Sequence, residues 1–148
     1  MIKPIKRSID LRASAARVWE VLLQDEYYRK WTTAFSEGSY AETDWKLGST
    51  VVFTDKKRYG LIGTIIENIP NEVIAMKYSG QLVDGKEDYD SENAKKFIGN
   101  IERYTLSENN GVTTLNIYCD MDAEYYTMMN GMWDTALINI KRLSEAKE

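Results

Sequence analysis

The sequence predicts a single α+β domain built from one antiparallel sheet and a long C-terminal helix. Apolar residues recur every three to four positions over residues 14–35, at every second position between residues 38 and 121, and every three to four positions again from residue 123. These are the periods of helix, strand and helix. The chain has 148 residues, of which 43% are hydrophobic, and this is the size and balance of one globular domain. We therefore expect residues 1–148 to share one core.

The N-terminal region is predicted to contain one strand and two short helices. Isoleucine and charged residues alternate loosely over residues 2–11, which indicates a strand. Ser14 is a suitable N-cap for a first helix that ends at Gln24. Asp25 can cap a second helix, whose aromatic residues have helical spacing: Tyr27, Tyr28, Trp31 and Phe35. We expect the two helices to form a bent pair.

Six further strands are predicted after these helices. They are short segments rich in β-branched and aromatic residues, at residue 40, 51–53, 60–69, 73–78, 99–107 and 112–121. Asn110-Gly111 between the last two is typical of a hairpin turn. Residues 81–96 are charged and carry almost no apolar side chain, so we expect an exposed segment there, either a plain loop or a lid.

A long helix is predicted from about residue 123 to residue 146, with Asp122 as its cap. Its apolar face contains Tyr125, Met129, Met132, Ala136, Ile140 and Leu143, and Met128, Trp133 and Leu137 widen it. At 1.5 Å per residue such a helix is about 36 Å long. That length is sufficient to cross a whole sheet.

The absence of histidine restricts the chemistry available to the chain. Serine and cysteine nucleophiles that pair with histidine, histidine bases, and the usual zinc and non-haem iron sites all need an imidazole. Catalysis would therefore depend on carboxylates, tyrosines, lysines or a bound cofactor, and we predict neither a cofactor nor a metal. The single cysteine, Cys119, fits a reducing compartment.

Charge and hydropathy exclude two classes of partner. The 19 basic and 23 acidic residues give a net charge of −4, and the longest basic run is residues 56–58, so nucleic-acid binding is not expected. No stretch reaches the ~20 apolar residues of a membrane span, and no secretory signal is recognisable. We therefore predict a soluble cytoplasmic protein, and the sequence carries no signal of its oligomeric state.

Several motifs resemble those of one superfamily. They are SAARVWEVL at 14–22, WT at 31–32, WKLG at 45–48, GTIIE at 63–67, ERYTL at 102–106, TTL at 113–115, and Trp133, Leu137, Lys141 and Leu143 in the last helix. In order and spacing the chain resembles the START-like (SRPBCC) superfamily, in particular the group similar to the heat-shock-protein ATPase activator. The resemblance implies a helix-grip fold (β-α-α-β6-α), in which a curved antiparallel sheet wraps the C-terminal helix and often leaves a pocket.

Strand and helix periodicity then select the residues that would line such a pocket. They are Trp31, Phe35, Met76, Tyr78, Glu102, Tyr104, Ile117, Met129, Met132 and Trp133. Plain core packing is the alternative for most of them, although flexible methionines suit irregular cavities.

Glu102 is the candidate catalytic residue. It shares a strand face with Tyr104 and Leu106, so an inward-facing Leu106 would bury its carboxylate, which then needs a partner or a proton. With Tyr104 or Tyr78 it is the best acid–base pair that the chain offers. A carboxylate at a strand end that reaches solvent or an arginine is the alternative.

Three functions are consistent with these residues. The first, which we favour, is non-catalytic binding of a small apolar, aromatic or lipid-like molecule in the pocket. The second is a cyclase- or hydrolase-type enzyme that uses Glu102 and tyrosines. The third is a protein-interaction role like that of co-chaperone members, with the sheet or residues 81–96 contacting a partner.

Overall fold

The structure, a computed structural model that describes residues 1–146, has one antiparallel sheet and a long C-terminal helix. The strands are β1 (Ile5–Leu11), β2 (Tyr40–Glu42), β3 (Thr50–Thr54), β4 (Gly60–Ile69), β5 (Val73–Val83), β6 (Lys86–Asp88), β7 (Ile101–Asn109) and β8 (Val112–Cys119). The helices are α1 (Ala15–Leu23), α2 (Asp25–Trp31), α3 (Glu92–Lys95) and α4 (Tyr126–Glu145), and a 3-10 turn follows α2 at Thr32–Ala34. The predicted α+β helix-grip fold is confirmed.

The eight strands form one curled sheet in the order β1-β8-β7-β5-β4-β3-β2, with β6 beside β5. Two register shifts interrupt the antiparallel β4–β5 ladder, between Ile62 and Gly63 and between Ile65 and Glu67. Bulges of this kind bend a strand and increase its twist. They help give the sheet a concave face, which helps form the core together with α1, α2 and α4.

The β7–β8 hairpin forms as its sequence predicts. Asn110 and Gly111 have φ angles of 54° and 79°, the left-handed values that a type I′ turn needs at both central positions. Every second residue of β8 from Thr113 to Cys119 is buried, so the strand has one face in the core. The turn and the alternation together determine the register.

Residues 81–96 are mostly exposed, as their charge predicts, but they are not an irregular loop. β5 continues to Val83 and turns back into β6, so that Gln81 lies opposite Asp88, and α3 follows. Gln81 and Ala94 are 7% and 0% exposed. The Asp88 carboxylate accepts hydrogen bonds from the Gln81 amide at 2.8 Å and from the Ser91 backbone N–H at 3.0 Å. The predicted exposure is confirmed, but the predicted loop was wrong, because the Asp88 carboxylate accepts hydrogen bonds within a turn.

The two N-terminal helices lie close to their predicted bounds. The Ser14 hydroxyl accepts from the backbone N–H of Arg17 at 3.1 Å and caps α1. Asp25 is the first residue of α2 rather than its cap, and it forms an ion pair with Arg29 at 2.8 Å. Trp31 ends this helix and is 1% exposed.

Helix α4 begins at Tyr126 rather than at residue 123. Asp122 does not cap it, because its carboxylate accepts from the backbone N–H of Glu124 at 3.0 Å within the preceding turn. The buried side of α4 consists of Trp133, Ala136, Leu137, Ile140 and Ser144.

Truncation of Ile140 should reveal how much α4 contributes to stability. Ile140 is 0% exposed, so Ile140→Ala is expected to lower the free energy of unfolding by about 2–5 kcal/mol, the usual cost of a large core deletion. Ile138 lies two residues earlier in the same helix and is 56% exposed. Ile138→Ala should change stability by less than about 0.5 kcal/mol. Equal losses for the two variants in urea unfolding would contradict this packing.

Candidate functional site

A cavity of about 200 Å³ lies between the concave face of the sheet, α2 and the first half of α4. The helical segments contribute Tyr28, Trp31, Thr32, Phe35, Met129 and Trp133 to its wall. The strands and the residues that flank them contribute Ser36, Ser39, Phe53, Thr54, Asp55, Tyr59, Gly60, Leu61, Tyr78, Phe97, Glu102, Tyr104, Cys119, Asp120 and Met121. The wall is mostly aromatic and apolar, with a few hydroxyl and carboxylate groups.

Most of the residues predicted to line a pocket lie on this wall. They are Trp31, Phe35, Tyr78, Glu102, Tyr104, Met129 and Trp133. Met76 and Ile117 do not line it, because they are 1% and 2% exposed within the hydrophobic core. Met132 is half-buried on α4 and is also absent from the wall. Period-two alternation identifies the inward face of a strand, but it does not reveal which part of that face other side chains cover.

Aromatic rings from α2, the turn after it, α4 and β7 contact one another on the cavity wall. Trp31 lies 5.9 Å from Trp133 and 6.4 Å from both Phe35 and Tyr104, measured between ring centroids. Phe35 meets Trp133 edge to face at 5.0 Å. These geometries are the favourable ones for ring pairs. Beside the cavity, α2 and α4 therefore contact β7 through aromatic rings.

Glu102 is the polar centre of the wall. β7 pairs with β8 so that Glu102 lies directly opposite Cys119, and Tyr104 follows on the same face. The Tyr78 hydroxyl donates to Glu102 Oε1 at 2.6 Å, and the Cys119 thiol lies 3.5 Å from the same oxygen. The Tyr104 hydroxyl donates to Oε2. Because all three partners donate, both oxygens of Glu102 act as acceptors, which matches an ionised carboxylate.

The groups around Glu102 titrate at unusually high pH. Burial raises the pKa of Tyr78, Tyr104 and Cys119, and the nearby negative charge of Glu102 raises it further. Burial and Glu102 also raise the pKa of Tyr28, on the opposite wall. Cys119 is therefore a protonated thiol at neutral pH, which does not suit it as a nucleophile.

Two further carboxylates, Asp55 and Asp120, lie on the wall. Burial opposes the charged form of Asp55, but hydrogen bonds from the Ser36 hydroxyl and from the backbone N–H groups of Tyr59 and Lys57 outweigh it and lower the pKa of Asp55. Asp120 accepts from the backbone N–H of Ile101 at 3.0 Å and from the Tyr118 hydroxyl at 2.7 Å. Both carboxylates hold neighbouring backbone in place.

Sequence reasoning missed several wall residues. Phe53 lies on β3, and its strand period could have identified it. Ser36 and Asp55 come from the segments around the short edge strands, and only the tertiary fold brings them together at 2.7 Å. Phe97 directly follows the charged segment 81–96. The composition of that segment predicts exposure, so it did not indicate that Phe97 lines a cavity.

Residues 1–146 have neither a candidate metal cluster nor a helix suited to a membrane. They contain no group of three or more histidine, cysteine, aspartate or glutamate side chains placed to hold a metal ion. Within the same residues, no helix is both long enough and apolar enough to cross a bilayer.

The curled sheet, the long C-terminal helix and the cavity between them define a START-like helix-grip protein. A family model described as "Activator of Hsp90 ATPase homolog 1-like protein" matches residues 12–145. The chain therefore belongs to that family. No curated protein sequence matches it.

Solved structures with the same fold are distant in sequence. The solution structure of the Aha1 dimer from Colwellia psychrerythraea is 16% identical and superposes with a TM-score of 0.70, covering 97% of this chain and 96% of that one. Protein CV1439 from Chromobacterium violaceum is 18% identical with a TM-score of 0.69, covering 97% and 98%. CalU16 from Micromonospora echinospora is 15% identical with a TM-score of 0.69, covering 96% and 76%. At these identities the likeness shows the fold alone.

The protein should lose stability at alkaline pH because of the raised tyrosine pKa values. The unfolded chain loses its phenol protons near the ordinary pKa of about 10, whereas Tyr78 and Tyr104 stay protonated in the folded state. The stability that these two protonated phenols contribute is fully present below that pH. It is lost as the pH rises through their folded-state pKa values. Urea unfolding between about pH 8 and pH 11 should show the decline.

The double variant Tyr78→Phe/Tyr104→Phe lacks both phenols, so its free energy of unfolding should decline less steeply over this pH interval. Tyr59→Phe removes a phenol that is 47% exposed and should keep the wild-type slope. Equal slopes for wild type and the double variant would show that the two phenols do not control the alkaline behaviour.

Proposed function

We propose that this protein binds a small, mostly apolar ligand with an aromatic ring in the cavity between the sheet and α4. The observation that carries the proposal is the cavity itself. Its wall consists mostly of aromatic rings, and its Glu102 carboxylate accepts from the Tyr78 and Tyr104 hydroxyls. Ligand sites are typically concave and apolar, with a few placed polar groups that orient the ligand. The membership of a family with the helix-grip fold supports the same conclusion. A free buried thiol at Cys119 fits a function in the cytoplasm, where thiols stay reduced.

The size of the cavity limits the ligand. A dry cavity of ~150 Å³ in another protein is known to hold benzene, so about 200 Å³ suits one ring system with a short substituent. A long acyl chain would exceed this volume and would leave part of its length exposed to solvent. We therefore propose a compact aromatic molecule rather than a lipid.

A pair of variants on α4 tests this proposal. Met129 lines the cavity, whereas its neighbour Met128 is 53% exposed and does not. Met129→Trp should fill part of the cavity and abolish or strongly weaken binding of the neutral probes indole and 2-phenylethanol, measured by titration calorimetry. Met128→Trp adds the same side chain outside the cavity and should bind as the wild type does.

The same experiment can reject the proposal. Saturable binding that Met129→Trp and Met128→Trp leave equally unchanged would place the ligand elsewhere. Near-UV circular dichroism and the unfolding midpoint of both variants should be compared first, because only variants that fold as the wild type does give an interpretable result.

A second candidate function is proton transfer to a bound ligand. The direct contacts of Glu102 with Tyr78 and Tyr104 on the cavity wall favour it, because an acid–base pair must lie within hydrogen-bond reach of the proton that it moves. In this reading Glu102 accepts a proton from the ligand and a tyrosine hydroxyl donates one.

Glu102→Gln distinguishes the two functions, because it keeps the size of the side chain and removes its proton chemistry. Wild type and variant are incubated with a pool of metabolites, and mass spectrometry measures both retained ligand and converted product. A binding protein should retain a compound without converting it in either form. Conversion by the wild type that disappears in Glu102→Gln would instead establish the enzyme, and conversion that survives would remove Glu102 from the reaction.

A further inference from the structure

The wall of the cavity carries an uncompensated negative charge. Three carboxylates line it, on Asp55, Glu102 and Asp120, and the wall as the structure describes it contains no lysine or arginine. The charge of Asp55, at the cavity edge, is partly balanced by Lys57. Glu102 forms no ion pair with any lysine or arginine of residues 1–146. Asp120 has no counter-charge within these residues either, but the backbone N–H of Ile101 and the Tyr118 hydroxyl donate to its two oxygens. Glu102 is the unbalanced charge that lies beside Tyr78 and Tyr104.

Glu102 also has unused acceptor capacity. An ionised carboxylate offers about four lone-pair sites, two on each oxygen. The Tyr78 hydroxyl and the Cys119 thiol occupy Oε1, but within residues 1–146 Tyr104 is the single donor to Oε2. Glu102 is only half-buried although these three partners are buried, so part of its surface faces the cavity. One further donor from a ligand can be accommodated at Oε2.

No lysine or arginine of residues 1–146 lies over a ring of the cavity wall. Within residues 1–146, lysine and arginine side chains lie over the rings of Tyr27, Tyr40, Tyr125 and Tyr126. None of these four rings lines the cavity. The faces of aromatic rings attract positive charge, more strongly where water is excluded. The cavity thus combines ring faces that hold no protein cation with a carboxylate that lacks one.

From these observations we infer that the ligand is an organic cation: a single aromatic ring system joined by a short linker to a protonated amine, with the ammonium group on Glu102. This inference rests on the proposed function and specifies the chemical class of its ligand. The ammonium group donates to Oε2 of Glu102, and the ring packs among the side chains around Trp31 and Trp133. An anionic ligand would meet Glu102 without a balancing cation and is disfavoured by the same charge.

A bare metal ion does not fit this position. Hard cations such as calcium and magnesium take several oxygen ligands, and no candidate metal cluster of three or more ligand side chains occurs in residues 1–146. A primary ammonium on a hydrocarbon stem needs only a few acceptors and can bury its apolar part against the rings. The mixture of rings and one acceptor therefore matches an amine better than an inorganic ion.

The test uses three probes that share a phenyl ring and differ in charge: 2-phenylethylamine, which is protonated at pH 7, neutral 2-phenylethanol, and 3-phenylpropionate. Titration calorimetry at pH 7 and low salt should show the amine binding roughly 10- to 100-fold more tightly than the alcohol, the range expected for a charge-assisted hydrogen bond. The propionate should bind more weakly than the alcohol.

Two variants show whether Glu102 causes this order. Glu102→Gln removes the charge in the cavity and should bring the affinities for the amine and the alcohol to within about threefold of each other, on the same thermodynamic scale. Glu92→Gln removes one negative charge from a side chain that is 92% exposed on α3 and should preserve the wild-type order. The wild-type comparison of the three probes stands by itself if Glu102→Gln does not fold.

The outcomes separate this inference from the proposed function. If none of the three probes binds and indole does not bind either, the proposed function fails. If the alcohol or the propionate binds as tightly as the amine, the cavity binds ligands but the inferred charge preference is wrong. A preference for the amine that Glu102→Gln and Glu92→Gln reduce equally would show that net charge, rather than Glu102, attracts it.

Discussion

The pairing of β5, β7 and β8 is the constraint on which the site depends. Their register places Glu102 and Cys119 side by side on the concave face, with Tyr104 next to them along β7. An ionised side chain is tolerated there because Tyr78, Tyr104 and Cys119 donate to it. A slip of one residue in β7 would turn Glu102 to the outer face and bring its neighbour Arg103 inward. The chemistry of the cavity is thus a consequence of strand register.

The aromatic wall explains why a space remains beside a well-packed core. Trp31, Phe35 and Trp133 meet one another, and the ring planes of Phe35 lie at 77° and 73° to the two indoles. Rings held in this way cannot move into the neighbouring space without losing their edge contacts. A cavity persists where its surroundings cannot collapse. Met76 and Ile117, which lie opposite Glu102 and Tyr104 on the neighbouring strands, are smaller or more flexible side chains and are buried in the core.

The sequence predicts the parts of the structure that local physics controls. Asn110-Gly111 specifies a hairpin because its backbone tolerates positive φ, and the inward position of Tyr104 follows from strand alternation. The strand and helix within residues 81–96 could not be predicted. The Gln81 amide donates to the Asp88 carboxylate at 2.8 Å, and only the folded turn brings these two side chains together. Likewise, alternation places Met76 on the inward face without showing that its neighbours cover it.

The sequence predicts the position of Glu102 but not its contacts. Its parity with Tyr104 predicts that it faces inward, and zero histidines make it the prominent polar candidate. Its contact with the Tyr78 hydroxyl at 2.6 Å and the lack of any basic neighbour on the wall are tertiary properties. The net charge of the cavity wall comes from residues on several strands and helices, so it cannot be predicted from any one segment of the sequence.

The closeness of Trp31 and Trp133 has an optical consequence. Two of the four tryptophans of the chain lie on the cavity wall with ring centroids 5.9 Å apart. Indole rings at this separation share their electronic excitation, so the pair absorbs circularly polarised near-ultraviolet light as a coupled unit. Any molecule that shifts one ring against the other changes that coupling. The near-ultraviolet circular dichroism of Trp31 and Trp133 is therefore an intrinsic signal for a molecule that enters the cavity and moves either ring.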